Sequence, residues 1–205
     1  MIGPTQSMAM SMKPYLQTYP NPKENSVVTT SYVDANLQHD LVTGRAVTGI
    51  IHMVNGTPYD YYSKRQATVE TATYGSAFVA ARIAVDQIIE MRITLRYFGV
   101  PVQGQAVLYG DNQSMITSST LPHSKLSKRH NALAYHRVRE AVAAKILGFY
   151  KIDGNKNVAD ILSKHWSHPQ VYPMLQPLLF QDPKLKPCKR IPPDKPEDEL
   201  EINTV

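Results

Sequence analysis

Three aspartates stand where the local sequence could make them act together. Asp34 closes SVVTTSYVD, Asp111 directly follows QAVLYG, and Asp160 lies within NVADILSKH. Neighbouring parallel strands run about 4.8 Å apart, so carboxylates at the carboxyl ends of two of them would converge where open α/β sheets place their ligands. Carboxylates crowded in this way cannot all ionise without a cation. An all-oxygen donor set suits Mg²⁺ or Mn²⁺. Two such ions roughly 4 Å apart can activate a water and stabilise the leaving oxygen of a phosphodiester. A plainer assignment makes Asp34 a turn residue, Asp111 a helix N-cap and Asp160 an exposed helical residue. The pattern alone leaves both open.

The elements that would have to position these groups are legible in outline. Ser26–Asp34 is rich in β-branched residues and predicts a strand. Arg45–Val54 and Thr57–Ser63 predict two more, joined at Asn55-Gly56, a strong hairpin signal. From Thr68 to Val100 apolar residues recur with helical period at Val79/Ala80, Ile83/Ala84, Ile88, Met91, Leu95 and Phe98. Asp86, Glu90, Arg92 and Arg96 fall largely off that stripe. Gly99 and Pro101 then end the helix. Gln105–Gly110 predicts a fourth strand and Asn112–Ser119 a short helix. Lys128–Leu147 predicts a helix basic on one side, Gly148–Asp153 a last strand, and Asn157–His165 a short helix, with one more over 169–180. The order βββαβααβα implies an α/β fold, a mixed sheet flanked by helices.

Composition sets the outer limits. At 205 residues and 42% hydrophobic, the chain can bury one substantial core. No apolar run approaches the ~18 residues of a membrane helix, and the first residues lack the order of a signal peptide. These features point to a soluble protein of the cytoplasm or nucleus. A lone cysteine, Cys188, excludes an internal disulfide. Residues 1–25 read as an irregular lead-in, 26–180 as the folded domain, and 181–205 as a disordered Pro- and charge-rich tail. The net charge of +5 is uneven, for residues 121–166 hold nine Lys/Arg against three Asp/Glu. That bias fits a polyanion such as nucleic acid, or simply a solvated face. Lys125, Lys128, Arg129, Arg137 and Arg139 are the candidates for phosphate contacts. His123, His130 and His136 lack the i, i+4 spacing of helical zinc ligands.

Six segments fall in the order and spacing of one family: SYVDAN (31–36), TGRAVTGIIHMV (43–54), SKRQATVETATYGSAFVAAR (63–82), YGDNQS (109–114), KRHNALAYHRVRE (128–140) and NVADILSKH (157–165). Together they resemble the ribonuclease H domain at the C-terminal end of Ty1/copia-type retrotransposon Pol polyproteins. The resemblance implies an RNase H-like fold with a five-stranded mixed sheet whose first three strands are antiparallel. It also implies an endoribonuclease that cuts the RNA strand of an RNA–DNA hybrid with two Mg²⁺ (or Mn²⁺) ions. A reverse transcriptase domain would lie upstream in the full-length polyprotein, and no membrane would be involved.

The family's acidic residues match Asp34, Asp111 and Asp160. Its fourth, a glutamate on the long helix, falls at Ala77, and a preceding position that is often also acidic falls at Gly75. Glu70, seven residues earlier, lies two turns away if helical and reads as a first-turn carboxylate favoured by the helix dipole. The resemblance therefore implies an RNase H whose catalysis is impaired at Ala77. The alternative is a non-catalytic nucleic-acid-binding or structural remnant of a transposon polyprotein. An integrase-like nuclease would also carry an acidic cluster, but the SKRQ-TVE, YHRVRE and ADILSK segments argue against it. The chain has no room for a polymerase palm.

Overall fold

The computed structural model describes residues 25–37, 42–126 and 129–179. The predicted lead-in up to residue 24, the predicted tail, residues 38–41 before the second strand, and Lys128 lie outside these. A five-stranded sheet forms the centre, in the order β3-β2-β1-β4-β5. β1 (Thr29–Asn36), β2 (Val47–Val54) and β3 (Thr57–Arg65) make an antiparallel meander. Asn55 (φ 52°) and Gly56 (φ 77°) both take the left-handed conformation that a two-residue hairpin turn demands.

α1 (Thr73–Tyr97) then carries the chain back so that β4 (Ala106–Gly110) pairs parallel to β1. It ends in a Schellman motif. Val100 N–H donates to Leu95 O and Gly99 N–H to Arg96 O, with Gly99 at φ 72°. Its buried face is mostly alanine, Ala77, Ala80, Ala81 and Ala84, with Phe78, Val85 and Ile88 filling between. Small side chains let the helix lie close on β1 and β2.

Phe98 on the predicted stripe and Arg92 off it both come out differently. Phe98, the residue just after α1, is exposed. Arg92 is buried, its guanidinium donating to Thr29 Oγ1 (2.9 Å) and to the Gly104 carbonyl. Satisfying those donors makes the burial tolerable.

After β4 come α2 (Gln113–Thr120), a single tight turn at Arg129–Asn131, and α3 (Ala132–Ala143), which packs on α1. The predicted helix from Lys128 to Leu147 is shorter than its pattern because Lys145 turns left-handed (φ 56°) and starts the turn into β5 (Leu147–Lys151). β5 pairs parallel to β4. α4 (Asp160–Ser163) crosses β1, β2 and β3, and α5 (His168–Leu175) follows it. The fold class matches the expectation: a five-stranded mixed sheet whose first three strands are antiparallel.

Candidate active site

β1 outlasts its predicted end by two residues, so Asp34 sits inside the strand, register-paired with Gly49 of β2. Asp111 follows the last residue of β4, whose Gly110 pairs with Val33. The parallel β1–β4 pair thus sets two carboxylates side by side, and α4 adds Asp160. One carboxylate oxygen from each of the three lies within 4.8 Å of the others. Asp111 does not cap α2; Asn112 does, accepting from Met115 N–H at 3.0 Å. Nor is Asp160 an exposed helical residue, since it is only 4% exposed.

What brings α4 onto the sheet is an absence of side chain. A Cβ on Gly49 would lie 2.5 Å from the Ala159 carbonyl and 3.2 Å from Ser163 N, so only glycine lets the α4 backbone come down beside Asp34. Fully buried Asn157 fastens the approach. Its Nδ2 donates to Val33 O (3.0 Å) and its Oδ1 accepts from Ala159 N–H (3.2 Å). Ser163 Oγ donates to Asp34 Oδ2 in a short contact. Lys164 Nζ donates to Asp160 Oδ2 at 2.7 Å and lies 3.6 Å from Asp34 Oδ2.

The electrostatics are those of crowded acids. Burial raises the Asp160 pKa most, the Lys164 hydrogen bond pulls it back, and the Asp34 charge pushes it up again, to about 6. Asp111 is raised too, by burial and then by the charge of Asp34. For Lys164, burial opposes the charge, but the hydrogen bond to Asp160 and the surrounding carboxylates outweigh it and raise its pKa. Asp160 Oδ1 is buried with no hydrogen-bond partner. A buried orphan acceptor on an ionisable acid is costly unless a cation reaches it. With three convergent oxygen donors, the residues fit a hard divalent ion.

Asp34, Asp111 and Lys164 line a cavity of about 500 Å³ together with Thr73, Ala77, Ala80 and Met115. Ala77 therefore opens onto the same space as the two strand carboxylates. Glu70 does not reach it. α1 begins at Thr73, so Glu70 precedes the helix rather than stabilising its first turn. Its carboxylate is buried and meets His130 Nε2 at 3.1 Å. A Cβ on Gly75 would fall 2.2 Å from Glu70 Oε2, so the glycine makes room for that carboxylate.

No protein-family model matches the chain. Over 137 residues, 67% of its length, it is 29% identical to the retrovirus-related Pol polyprotein from transposon TNT 1-94 of Nicotiana tabacum. It spans about a tenth of that relative's length (10%). Among solved structures, the N-terminal RNase H domain of a Mycobacterium tuberculosis protein superposes with a TM-score of 0.53 at 11% identity, covering 74% of this chain and 98% of that one. LC11-RNase H1 in complex with an RNA/DNA hybrid gives 0.50 at 15% identity, covering 67% and 94%. The chain has the RNase H-like fold, and its sequence is similar to a retrotransposon Pol polyprotein.

In this RNase H-like fold the four described basic candidates have different situations, Lys128 lying outside the described residues. Lys125 and Arg129 are exposed on the segment leading into α3. Arg137 is held by Asp86 (2.8 Å) and Glu140 (3.4 Å). Arg139 donates to the carbonyls of Ser118, Leu121 and Pro122 at the end of α2, and its guanidinium lies 5.2 Å from the centre of the Tyr135 ring. Arg139 thus closes a helix end, and its donors are largely spent inside the fold. His130 turns to Glu70, while His136 meets the Tyr135 ring edge-on. Sequence reasoning passed over Gly49, Asn157, Ser163 and Lys164. The last three lie inside the NVADILSKH motif that was singled out for Asp160 alone. Gly49 carried a fainter signal, a glycine in the middle of an apolar strand, which often marks close backbone approach.

Proposed function

We propose that this domain engages an RNA–DNA hybrid through a copia-type RNase H site in which Asp34, Asp111 and Asp160 hold divalent metal, and that Ala77 curtails its catalysis. The convergence of the three aspartates, with Asp160 Oδ1 buried and unpaired, is the observation that carries the reading. Bound Mg²⁺ or Mn²⁺ would supply the charge that activates water and relieves a leaving phosphate oxygen. The protein's own part is positional. β1 and β4 fix two carboxylates against each other, Asn157 and Gly49 seat the third, and Ser163 fixes the orientation of Asp34. Lys125 and Arg129, both exposed, would meet phosphates, contacts that orient a hybrid without reading its sequence. Recognition of the RNA strand would rest on groove shape and 2′-hydroxyls. In a full-length polyprotein a reverse transcriptase domain would precede this one.

Ala77 is what favours a second reading, a domain that binds hybrid without cutting it. An alanine methyl at this position leaves the cavity one carboxylate short of the family set. Losing one metal ligand at the cost of about 3–4 kcal/mol corresponds to roughly 10²–10³ in rate. Cleavage of a labelled RNA–DNA hybrid, in Mg²⁺ and then Mn²⁺, separates the two. The unmodified chain should turn over slowly or not at all, and Ala77→Glu should raise the rate by about that factor. Robust and equal cleavage by both proteins would refute the impairment at Ala77. Absence of hybrid binding by either would refute the substrate.

A further inference from the structure

At the end of the sheet away from the aspartates lies an acidic groove of about 370 Å³, between β3 and the second half of α1. Tyr59, Asp60, Glu90, Met91, Leu95 and Phe98 line it. Val54 lines it too and pairs with Thr29 at the start of β1, whereas Asp34 lies near the other end of that strand. Its aromatic walls are open, Tyr59 being 55% and Phe98 61% exposed. Asp60 accepts from the Tyr61 N–H (2.8 Å), but among the described residues no cation pairs with it or with Glu90. Burial raises the Tyr59 pKa most, and the charges of Asp60 and Glu90 raise it further, so both carboxylates lie near that hydroxyl. Two unpaired carboxylates between aromatic and aliphatic walls suit a segment that brings cations, apolar side chains and little entropy to lose.

We propose that residues 183–193 of this chain dock in this groove. Two observations carry the proposal. The first is chemical. PKLKPCKRIPP holds Lys184, Lys186, Lys189 and Arg190 and no acidic residue, so its charge complements Asp60 and Glu90. Leu185 and Ile191 bring apolar groups to the walls, and four prolines restrict the free segment, which lowers the entropic cost of binding. Proline-rich segments dock in aromatic-lined grooves on these terms. The second is position. Leu179, the last described residue, lines a second, apolar groove formed with α4 and α5. The two grooves meet at Tyr59 and Asp60 on the edge strand β3, since both residues line each of them. The chain therefore continues from beside the acidic groove, and residues 180–184 can span up to about 17 Å. Docking there holds four cations at the opposite end of the sheet from the carboxylate cluster, and it does not depend on the hybrid-binding reading.

Cys188 falls in the middle of this segment and is the chain's single cysteine, so disulfide trapping in the full chain tests the docking. Thr94→Cys places a thiol in the groove. Asn155→Cys places one in the turn after β5, at the carboxylate end of the sheet. Both positions are exposed, and thermal unfolding checks that each variant folds. In a glutathione redox buffer, Thr94→Cys should close an intramolecular disulfide with Cys188 about tenfold or more faster than Asn155→Cys. Adding Asp60→Asn and Glu90→Gln to Thr94→Cys should slow that closure about fivefold. The amide pair leaves the anchor at Leu179 unchanged, so this slowing separates docking from simple nearness. Equal rates at the two positions, or no slowing by the amides, would overturn the proposal. Disulfides that form between two molecules and rise with protein concentration would overturn it in favour of a second copy as the occupant.

Discussion

The pH dependence of stability tests what holds the Asp160 carboxyl up. That carboxyl is raised from 3.8 to about 6, burial being the largest cause. Between those values the folded protein keeps a proton that the unfolded chain has released, so the unfolding free energy falls as pH rises across the window. Below about pH 4 both states are protonated and the penalty is absent; above about pH 6 both are ionised and it is complete. A shift of about 2 units at 1.36 kcal/mol each sets its size at roughly 3 kcal/mol. Asp160→Asn removes the titration. The stability of the unmodified chain relative to the variant should therefore decline by up to about 3 kcal/mol from pH 4 to pH 7. Urea denaturation in a chelator at pH 4, 5, 6 and 7 reads this difference. Saturating Mn²⁺ at pH 7 should recover much of the loss in the unmodified chain and little in the variant. A difference that stays flat with pH, or grows with it, would refute the argument that burial and Asp34 hold this acid up.

Two further substitutions probe what positions the site. Gly49→Ala forces a methyl against the Ala159 carbonyl, 2.5 Å from the ideal Cβ, so α4 must lift. Thermal denaturation should show a loss of about 1–3 kcal/mol, and Mn²⁺ affinity should fall with it; unchanged affinity would mean that α4 is held elsewhere. Arg92→Met strands the Thr29 hydroxyl and the Gly104 carbonyl. It should cost about 1–3 kcal/mol in urea denaturation without altering Mn²⁺ affinity, as expected of a purely structural cation.

Among the described residues no helix is long and apolar enough to cross a membrane. The charge bias of residues 121–166 does not tell which of its cations are engaged within the fold. Arg137 and Arg139 are both engaged within the fold, and only contacts could reveal that. Glu70 shows the same limit. Its spacing from Ala77 suggested a place on the helix, but α1 starts later, and a histidine sixty residues on claims the carboxylate.

The sequence by itself determined the elements and two of the three carboxylate placements. Strand and helix periods, the Asn55-Gly56 turn and the Gly99 stop are local properties, written in consecutive residues. Asp34 and Asp111 followed from strand ends, because a parallel crossover leaves few alternatives for where those ends meet. Only the tertiary structure decided how Asp160 reaches them, and what comes with it. That depends on the bare backbone at Gly49, on Asn157 gripping β1 from 124 residues away, and on Lys164 turning its ammonium into the cluster. Such contacts pair residues far apart in the chain, and no local periodicity encodes them.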